Sequence, residues 1–303
     1  MAPEGIGWAN HIQNYVFPFI DEATEGELSV KVFWGGSVGD DEKAIQRMEQ
    51  GVLDGAGLAG QGATILCPPF AVVELPFLFN DYEEVDYIRE KMADTFDRLM
   101  AEKGYALLSW NDQDFDQVYS SAWPLPSLDQ FARATFITWY GPLEKELLKI
   151  LGAHTIEADV PEVSAAIRGG RADSAIGPAL WVVGAQMYST IKYINPMKIR
   201  YSPALIVVTL DSWKKLPEKY RRRILGGRIE LNAKYCDEIR ADNEKSIQAM
   251  VQYGLEVVHP SPEELSAIRK KAVTVWDQMV GTLYSRETLN EVLDHLEQYR
   301  AGR

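Results

Sequence analysis

Between residues 27 and 210 the chain alternates short β-patterned runs with helical ones, and beyond Asp211 it is almost wholly helical. "ELSVKVFW" at 27–34 has period-two alternation and β-branched content, which predicts a strand. A Gly-rich turn leads into "DDEKAIQRMEQG", a helix with Asp40 near its start and Gly51 at its stop. "VLDGAGLAG" follows as a strand of small residues. "DYEEVDYIREKMADTFDRLMAEKG" sets Val85, Ile88, Met92, Phe96 and Met100 on one helical stripe closed by Gly104. "YALLSW" then reads as a buried strand, and "WNDQDFDQVYSS" as an Asp-rich turn after it. The pattern repeats: strand "TFITW" before helix "PLEKELLKILG", strand "HTIEAD" before a helix capped by Asp159, then strands "ADSAIG" and "PALIVVTL". The helical tail is interrupted by "LEVVHP", and "SPEE" at 261–264 is a capping box. Such alternation can bury its faces only as α/β layers, with mostly parallel sheets flanked by helices. A chain of 303 residues exceeds one comfortable core and suits two lobes.

Composition narrows the partners. The 31 Lys and Arg against 44 Asp and Glu give a formal charge of −13, and nucleic acid or an anionic membrane needs a basic footprint instead. No run of 18 apolar residues exists, so no membrane-spanning segment is expected. The most apolar region, "PPFAVVELPFLF", is cut by Glu74 and three prolines. The opening "MAPEGIGWAN" lacks a basic n-region and an apolar h-region, so no signal peptide is expected in it; a mature exported protein has the same look. Two cysteines, Cys67 and Cys236, allow one disulfide or two buried thiols, and the thiols are favoured.

Two motifs suggest chemistry and fall short of it. "GGSVG" at 35–39 fits a nucleophile elbow with Ser37 as a hydrolase nucleophile, because it follows a predicted strand and precedes a helix. Little sequence lies upstream to complete an oxyanion hole, so a glycine loop near a cleft is the better reading. "GAGLAG" at 55–60 has dinucleotide-fingerprint spacing, but "QGATILCPPF" after it is no long helix. Small residues there let a ligand approach the sheet, with Gly60 and Gln61 at its end. The four histidines are scattered, and "DQDFD" has calcium-ligand spacing without the required glycine. No metal and no cofactor are expected.

The order of these pieces resembles the DctP-type solute-binding proteins of TRAP transporters over nearly the whole chain. "APEGIGW" is similar to that family's first cleft loop, which brings in Trp8. "FIDEATEGELSVKVFWGGSVGDDEKAIQRMEQGVLDGAG" and "VVELPFLFNDYEEVD" are similar to its helix–strand–loop–helix stretch and its "lPflf" segment. "IRGGRADSAIGP", with Gly177, resembles its Gly-rich turn and strand, and "IKYIN" and "LDSWKKLP" continue in register. The resemblance implies a two-lobed periplasmic-binding-protein-like fold with a long inter-lobe helix and a helical C-terminal tail. It divides the chain into 1–122 plus about 211–255 for lobe I and 123–210 plus about 256–303 for lobe II. It also implies a periplasmic protein, its export signal removed, that is not an enzyme and delivers a small solute to TRAP membrane permease subunits.

The family usually clamps a ligand carboxylate with an arginine in a strand read "GlkiR", and often with a second after a Gly-Phe pair. The register puts Ile137 at the first position and Asp116 at the second. An unpaired carboxylate in a dry cleft is strongly disfavoured, so a simple dicarboxylate or sugar acid is a poor expectation. An aspartate of the Asp112–Asp116 stretch facing the cleft would suit an amine or polyol, with Trp110, Trp139 and Trp181 as walls. A small amine or amino alcohol, or another non-carboxylate polar solute, is therefore expected. An aromatic or apolar solute held by Ile137 and the tryptophans is the alternative. Of the three aspartates at 112, 114 and 116, at least two are expected to be solvated.

Overall fold

The computed structural model describes Glu4 and residues 7–302. The strands are β1 (Gly55–Ala59), β2 (Tyr105–Ser120), β3 (Thr135–Thr138), β4 (His154–Glu157), β5 (Ser174–Gly177), β6 (Tyr193–Thr209) and β7 (Glu256–Val257). They form one sheet in the order β1-β6-β2-β5-β3-β4, with β7 also on β6. The 16 residues of β2 and 17 of β6 pair antiparallel from Tyr105↔Thr209 to Ser120↔Tyr193. At about 3.3 Å per residue they run roughly 50 Å, enough to thread both lobes.

The α/β two-lobed class holds, but the pairing is mixed rather than mostly parallel. Parallel ladders are confined to β3–β4, β3–β5 and β6–β7. The crossing pair and β1 on β6 are antiparallel. Single strands long enough to serve both lobes make that pairing without a helical crossover.

One core gathers Phe70, Leu75, Val85, Ile88, Met92, Phe96, Met100, Trp110 and Tyr201, together with Leu289, Val292 and Leu296 from the C-terminal helix Arg286–Ala301. The helical stripe is buried as the periodicity requires, although a break at Met92 divides it into Tyr82–Lys91 and Ala93–Glu102. The second lobe's core is built from Phe136, Leu147, Leu148 and Ile176, with Ile268 from helix Pro262–Ala272, and from Ile137, Val163 and Ala175. Helix Glu218–Tyr253, 36 residues and roughly 54 Å long, spans the two. Its Ile224, Leu231, Tyr235 and Ile239 pack with Val16 and Ile20, while Met250 belongs to the second lobe's cluster.

Three local expectations need correction. Residues 27–34 are not a strand: they run beside no partner ladder, and Val30 and Phe33 are 48% and 40% exposed. Alternation makes a strand only where a neighbouring backbone takes up its hydrogen bonds. Asp159 stands at the start of helix Val160–Arg168 without a side-chain capping bond. The supposed Asp-rich turn is the middle of β2, and Asp112, Asp114 and Asp116 are all buried. Other signals were local enough to hold. Asp40 accepts from the Lys43 amide at 2.9 Å, Ser261 and Glu264 form the capping box, and both cysteines are free and buried. No helix among the described residues is long and apolar enough to cross a membrane.

Candidate functional site

Buried charge on β2 is arranged by bulges. Register shifts lie between Asp112 and Asp114 and between Asp116 and Val118. Because a shifted register changes which face a side chain takes, Asp112 meets Tyr201 while Asp116 meets Arg200 and Ser202, the residues flanking it on β6.

The Asp112 side is a closed network in the first lobe. Arg240 donates from Nε to Asp112 Oδ2 at 2.7 Å, the Tyr201 hydroxyl donates to Oδ1 at 2.6 Å, and Arg89 pairs with that same Oδ1. Burial pushes Asp112 upward, but the two guanidinium groups outweigh it and hold the carboxyl below the usual range. Trp110 stands edge-on to Phe70 and Phe96, with its Nε1 donating to Tyr201 at 3.2 Å. Trp110 is therefore lobe core, and Asp112 is its ionic seam. Asp114 accepts from the Tyr82 hydroxyl and the Phe115 amide, and burial lifts it to about 7.

The Asp116 side gathers residues from three stretches of the chain, 60–74, 138–144 and 200–202. Arg200 is 1% exposed and donates from Nε to Asp116 Oδ2 at 2.7 Å and from Nη2 to Glu144 Oε2 at 2.6 Å. Its guanidinium lies 4.1 Å from the centre of the Tyr140 ring. The Tyr140 and Ser202 hydroxyls are 2.6 Å apart, Ser202 donates to Asp116 at 3.2 Å, and Thr138 donates to Glu144 at 2.6 Å. Glu74, the one charge in the apolar run of the first lobe, closes the cluster and accepts from Thr64 at 3.2 Å. Gly60 makes the lobe contact possible. A Cβ there would lie 2.3 Å from Glu74 Oε2 and 2.7 Å from the Tyr140 ring.

Two carboxylates thus hold one guanidinium, and Glu74 lies next to the Tyr140 ring on which that guanidinium stacks. Burial raises Glu74 to about 8, more than Arg200 lowers it. Burial likewise raises Asp116 to about 6 against the pull of Arg200. For Arg200 itself, Glu144 and Asp116 overcome the effect of burial and hold the proton firmly. Asp116 Oδ1 and the Tyr119 hydroxyl are buried without a hydrogen-bond partner among the described residues. Buried polar groups are normally satisfied, so these two mark places where a bound molecule would be useful.

Aromatic surface adjoins the cluster. Trp139 and Trp181 have ring centres 4.5 Å apart, and Trp139 also meets Tyr140 edge-on at 6.3 Å. Gly177 lies under Trp181, where a Cβ would come within 2.7 Å of the indole. Ile137 is fully buried in the same lobe's core. Trp8 is half-buried at the start of helix Trp8–His11, packed on the cluster that contains Ile224 and Tyr235, with its Nε1 unpartnered among the described residues. Gln61 is half-buried next to Gly60 at the start of helix Gly60–Leu66. Ala2, Pro3, Gly5 and Ile6 of the first cleft loop lie outside the described residues.

The structure joins Gly60, Asp116, Trp139, Gly177 and Trp181 through Tyr140 and Arg200, and assigns Trp110 and Asp112 to the lobe core. Sequence reasoning missed Tyr140, Glu144, Arg200, Ser202 and Glu74 as site residues. A usable signal existed for two of them. Glu74 interrupts an apolar run, and Arg200 precedes the long β-patterned "YSPALIVV". Ser37 is exposed in the turn after the unpaired 27–34 segment, so the strand a nucleophile elbow requires is missing.

Two lobes threaded by long strands, with a polar cluster and indole walls at their meeting point, define a two-lobed solute-binding protein. Residues 17–282 match the model of the DctP family, bacterial extracellular solute-binding protein family 7, and the chain belongs to it. It is a solute-binding protein, not an enzyme. It is 22% identical over 240 residues to the 2,3-diketo-L-gulonate-binding periplasmic protein YiaO of Escherichia coli, covering 79% of this chain and 73% of that one. It is 24% identical over 284 residues to the C4-dicarboxylate-binding periplasmic protein DctP of Rhodobacter capsulatus, covering 92% and 83%. The crystal structure of a TRAP periplasmic solute-binding protein from Chromohalobacter salexigens with bound D-glucuronate superposes with a TM-score of 0.85. That pair shares 22% identity and covers 98% and 97% of the two chains.

Proposed function

We propose that this protein is the periplasmic solute-binding component of a TRAP-type transporter. It captures a small amine, amino alcohol or comparable non-carboxylate polar solute and passes it to membrane permease subunits. The observation that carries the ligand class is the commitment of Arg200. The guanidinium in the cluster is already paired with Asp116 and Glu144, and a further buried carboxyl, Glu74, lies next to the Tyr140 ring on which the guanidinium stacks. The relatives described above are named for acids or hold one. A solute carboxylate entering this cluster would have to displace one of the chain's own and share a dry site with the rest, which is strongly unfavourable.

An ammonium or hydroxyl donor meets the reverse situation. Asp116 Oδ1 is open to accept, and charge-assisted hydrogen bonds contribute about 1.5–3 kcal/mol each. Trp139 and Trp181 offer faces to a cation, worth about 0.5–2 kcal/mol. A reading as an aromatic-solute binder rests on that tryptophan pair alone, because Ile137 is buried in the core.

The test is a thermal-shift screen over amines, polyols, aromatics and organic acids. A solute at 100 times its dissociation constant stabilises by about 2.7 kcal/mol. Amines should raise the melting temperature, and Asp116→Asn should reduce that rise relative to the variant's own baseline. Stabilisation confined to carboxylates would refute the amine assignment and leave the transporter role standing.

A further inference from the structure

The stoichiometry of the buried cluster has a consequence beyond ligand class. Arg200 uses Nε for Asp116 and Nη2 for Glu144, and both carboxylates have further support, from Ser202 and Thr138 respectively. Glu74 differs. It makes no ion pair among the described residues, its 2% exposure removes it from bulk water, and its recorded hydrogen bond comes from the neutral Thr64 hydroxyl. It belongs to the 68–74 segment of the first lobe, whereas Glu144 and Tyr140 come from the second and Asp116 and Arg200 from the crossing strands. Gly60 leaves Glu74 and Tyr140 close together across the lobe boundary. Among the described residues, the charged and titratable groups that act on Glu74 most strongly are Arg200, Asp116 and Glu144, with the Tyr140 ring packed beside it.

We propose that a cationic solute and a proton are alternative occupants beside Glu74, so that binding of the cation between the lobes releases that proton. Without a solute, the third carboxylate of a one-arginine cluster is tolerated only when neutral. A bound ammonium supplies the missing positive charge, and the carboxylate that forms in turn strengthens the grip on it. The O–H bond of the Glu74 carboxyl breaks, its proton leaves to solvent, and no covalent bond to the solute forms. The site therefore couples uptake affinity to the acidity of its compartment, holding cations more tightly as that compartment becomes more alkaline. The direction matches the raised titration of Glu74, at about 8, whereas Asp116, at about 6, has finished titrating by the upper part of the window.

This inference rests on the amine reading above, and the experiment separates the two. Choline, whose charge does not titrate, is the main probe, with ethanolamine and putrescine beside it. Calorimetry at pH 7 in two buffers of different ionisation enthalpy should show close to one proton released per choline bound. Choline affinity should rise about fivefold from pH 7 to pH 8 and less than about twofold from pH 8 to pH 9. In Glu74→Gln both the proton release and the rise should vanish; if that variant fails to fold, the two-buffer measurement on the unaltered protein decides alone. Choline binding with no proton release overturns the coupling and leaves the amine reading intact. Failure of all three cations to bind overturns both.

Discussion

Replacing Arg200 by methionine tests the electrostatic logic of the site directly. The side chain is 1% exposed and neutralises two carboxylates that are themselves fully buried. Breaking a buried pair by deleting one partner costs about 3–5 kcal/mol, because the survivor is left as an uncompensated charge. Here two survivors remain, and Asp116 escapes by taking up a proton. Its titration then moves upward, beyond the value of about 6 that it has with Arg200 in place. A carboxyl raised in the folded state stabilises it at low pH and loses that contribution as pH rises. Arg200→Met should therefore lose about 3–5 kcal/mol in urea unfolding at pH 8 and less than about half of that at pH 5. In thermal melts the pH 8 loss corresponds to roughly 10 °C. Combining Arg200→Met with Asp116→Asn and Glu144→Gln removes all three charges, and stability at pH 8 should return to within about 1–2 kcal/mol of the parent. A loss below about 1 kcal/mol at pH 8, or an equal loss at both pH values, would refute the reasoning.

Three further outcomes follow from the same geometry. Glu74 titrates near 8 instead of 4.5, so its contribution is complete below about pH 4.5 and disappears as pH rises through 8, at most about 5 kcal/mol. Relative to Glu74→Gln, the parent should lose stability between pH 5 and pH 8, and parallel stability–pH curves for the two would contradict this. Asp112→Ala should lower stability by about 1–3 kcal/mol, because Arg89 and Arg240 lose their buried partner and keep the half-exposed Asp86; a loss under about 0.5 kcal/mol in urea unfolding would show that the seam is not ionic. Gly60→Ala places a methyl group 2.3 Å from Glu74 and 2.7 Å from Tyr140, which should wedge the lobes and weaken solute binding about tenfold. The same overpacking should lower its own stability by about 1–3 kcal/mol, and unaltered affinity would mean that the lobes do not close at this glycine.

What was legible in the sequence is what short-range physics decides. The Val85–Met100 stripe, the Ser261 capping box and the Asp40 cap depend on residues three or four apart, and all three form. What failed depends on a neighbour distant in the chain. The 27–34 segment has a strand's alternation and lacks a strand's partner. "WNDQDFDQ" has a loop's composition, yet it forms a strand because Arg89, Tyr82 and Arg200 supply one partner each to its three aspartates. Those partners come from 23, 32 and 84 residues away. No window along the chain contains both sides of such a pairing. The candidate cluster shows the same division. Gly60, Gly177, Trp139 and Trp181 stand out by residue type, whereas Glu144 and Tyr140 are brought to the cluster by Arg200.

That cross-strand dependence changes how an absent arginine should be read. By resemblance, a guanidinium belongs at Ile137 or at Asp116, and its absence from both suggests a cleft without positive charge. The ladder places Arg200 directly opposite Asp116, so a guanidinium is present on the adjoining strand. Under the amine reading proposed above, its presence does not restore an acid-binding site. Arg200 enters together with Asp116 and Glu144 as fixed counter-charges and with Glu74 as a third carboxyl, and all four groups are buried. On that reading, specificity follows from the balance of charges, not from the occurrence of an arginine. For an acid to bind here, the cluster would have to take up further protons, and acid affinity would rise as pH falls. For a cation the dependence has the opposite sign. The slope of affinity against pH therefore identifies the charge of the solute even before its chemical identity is known.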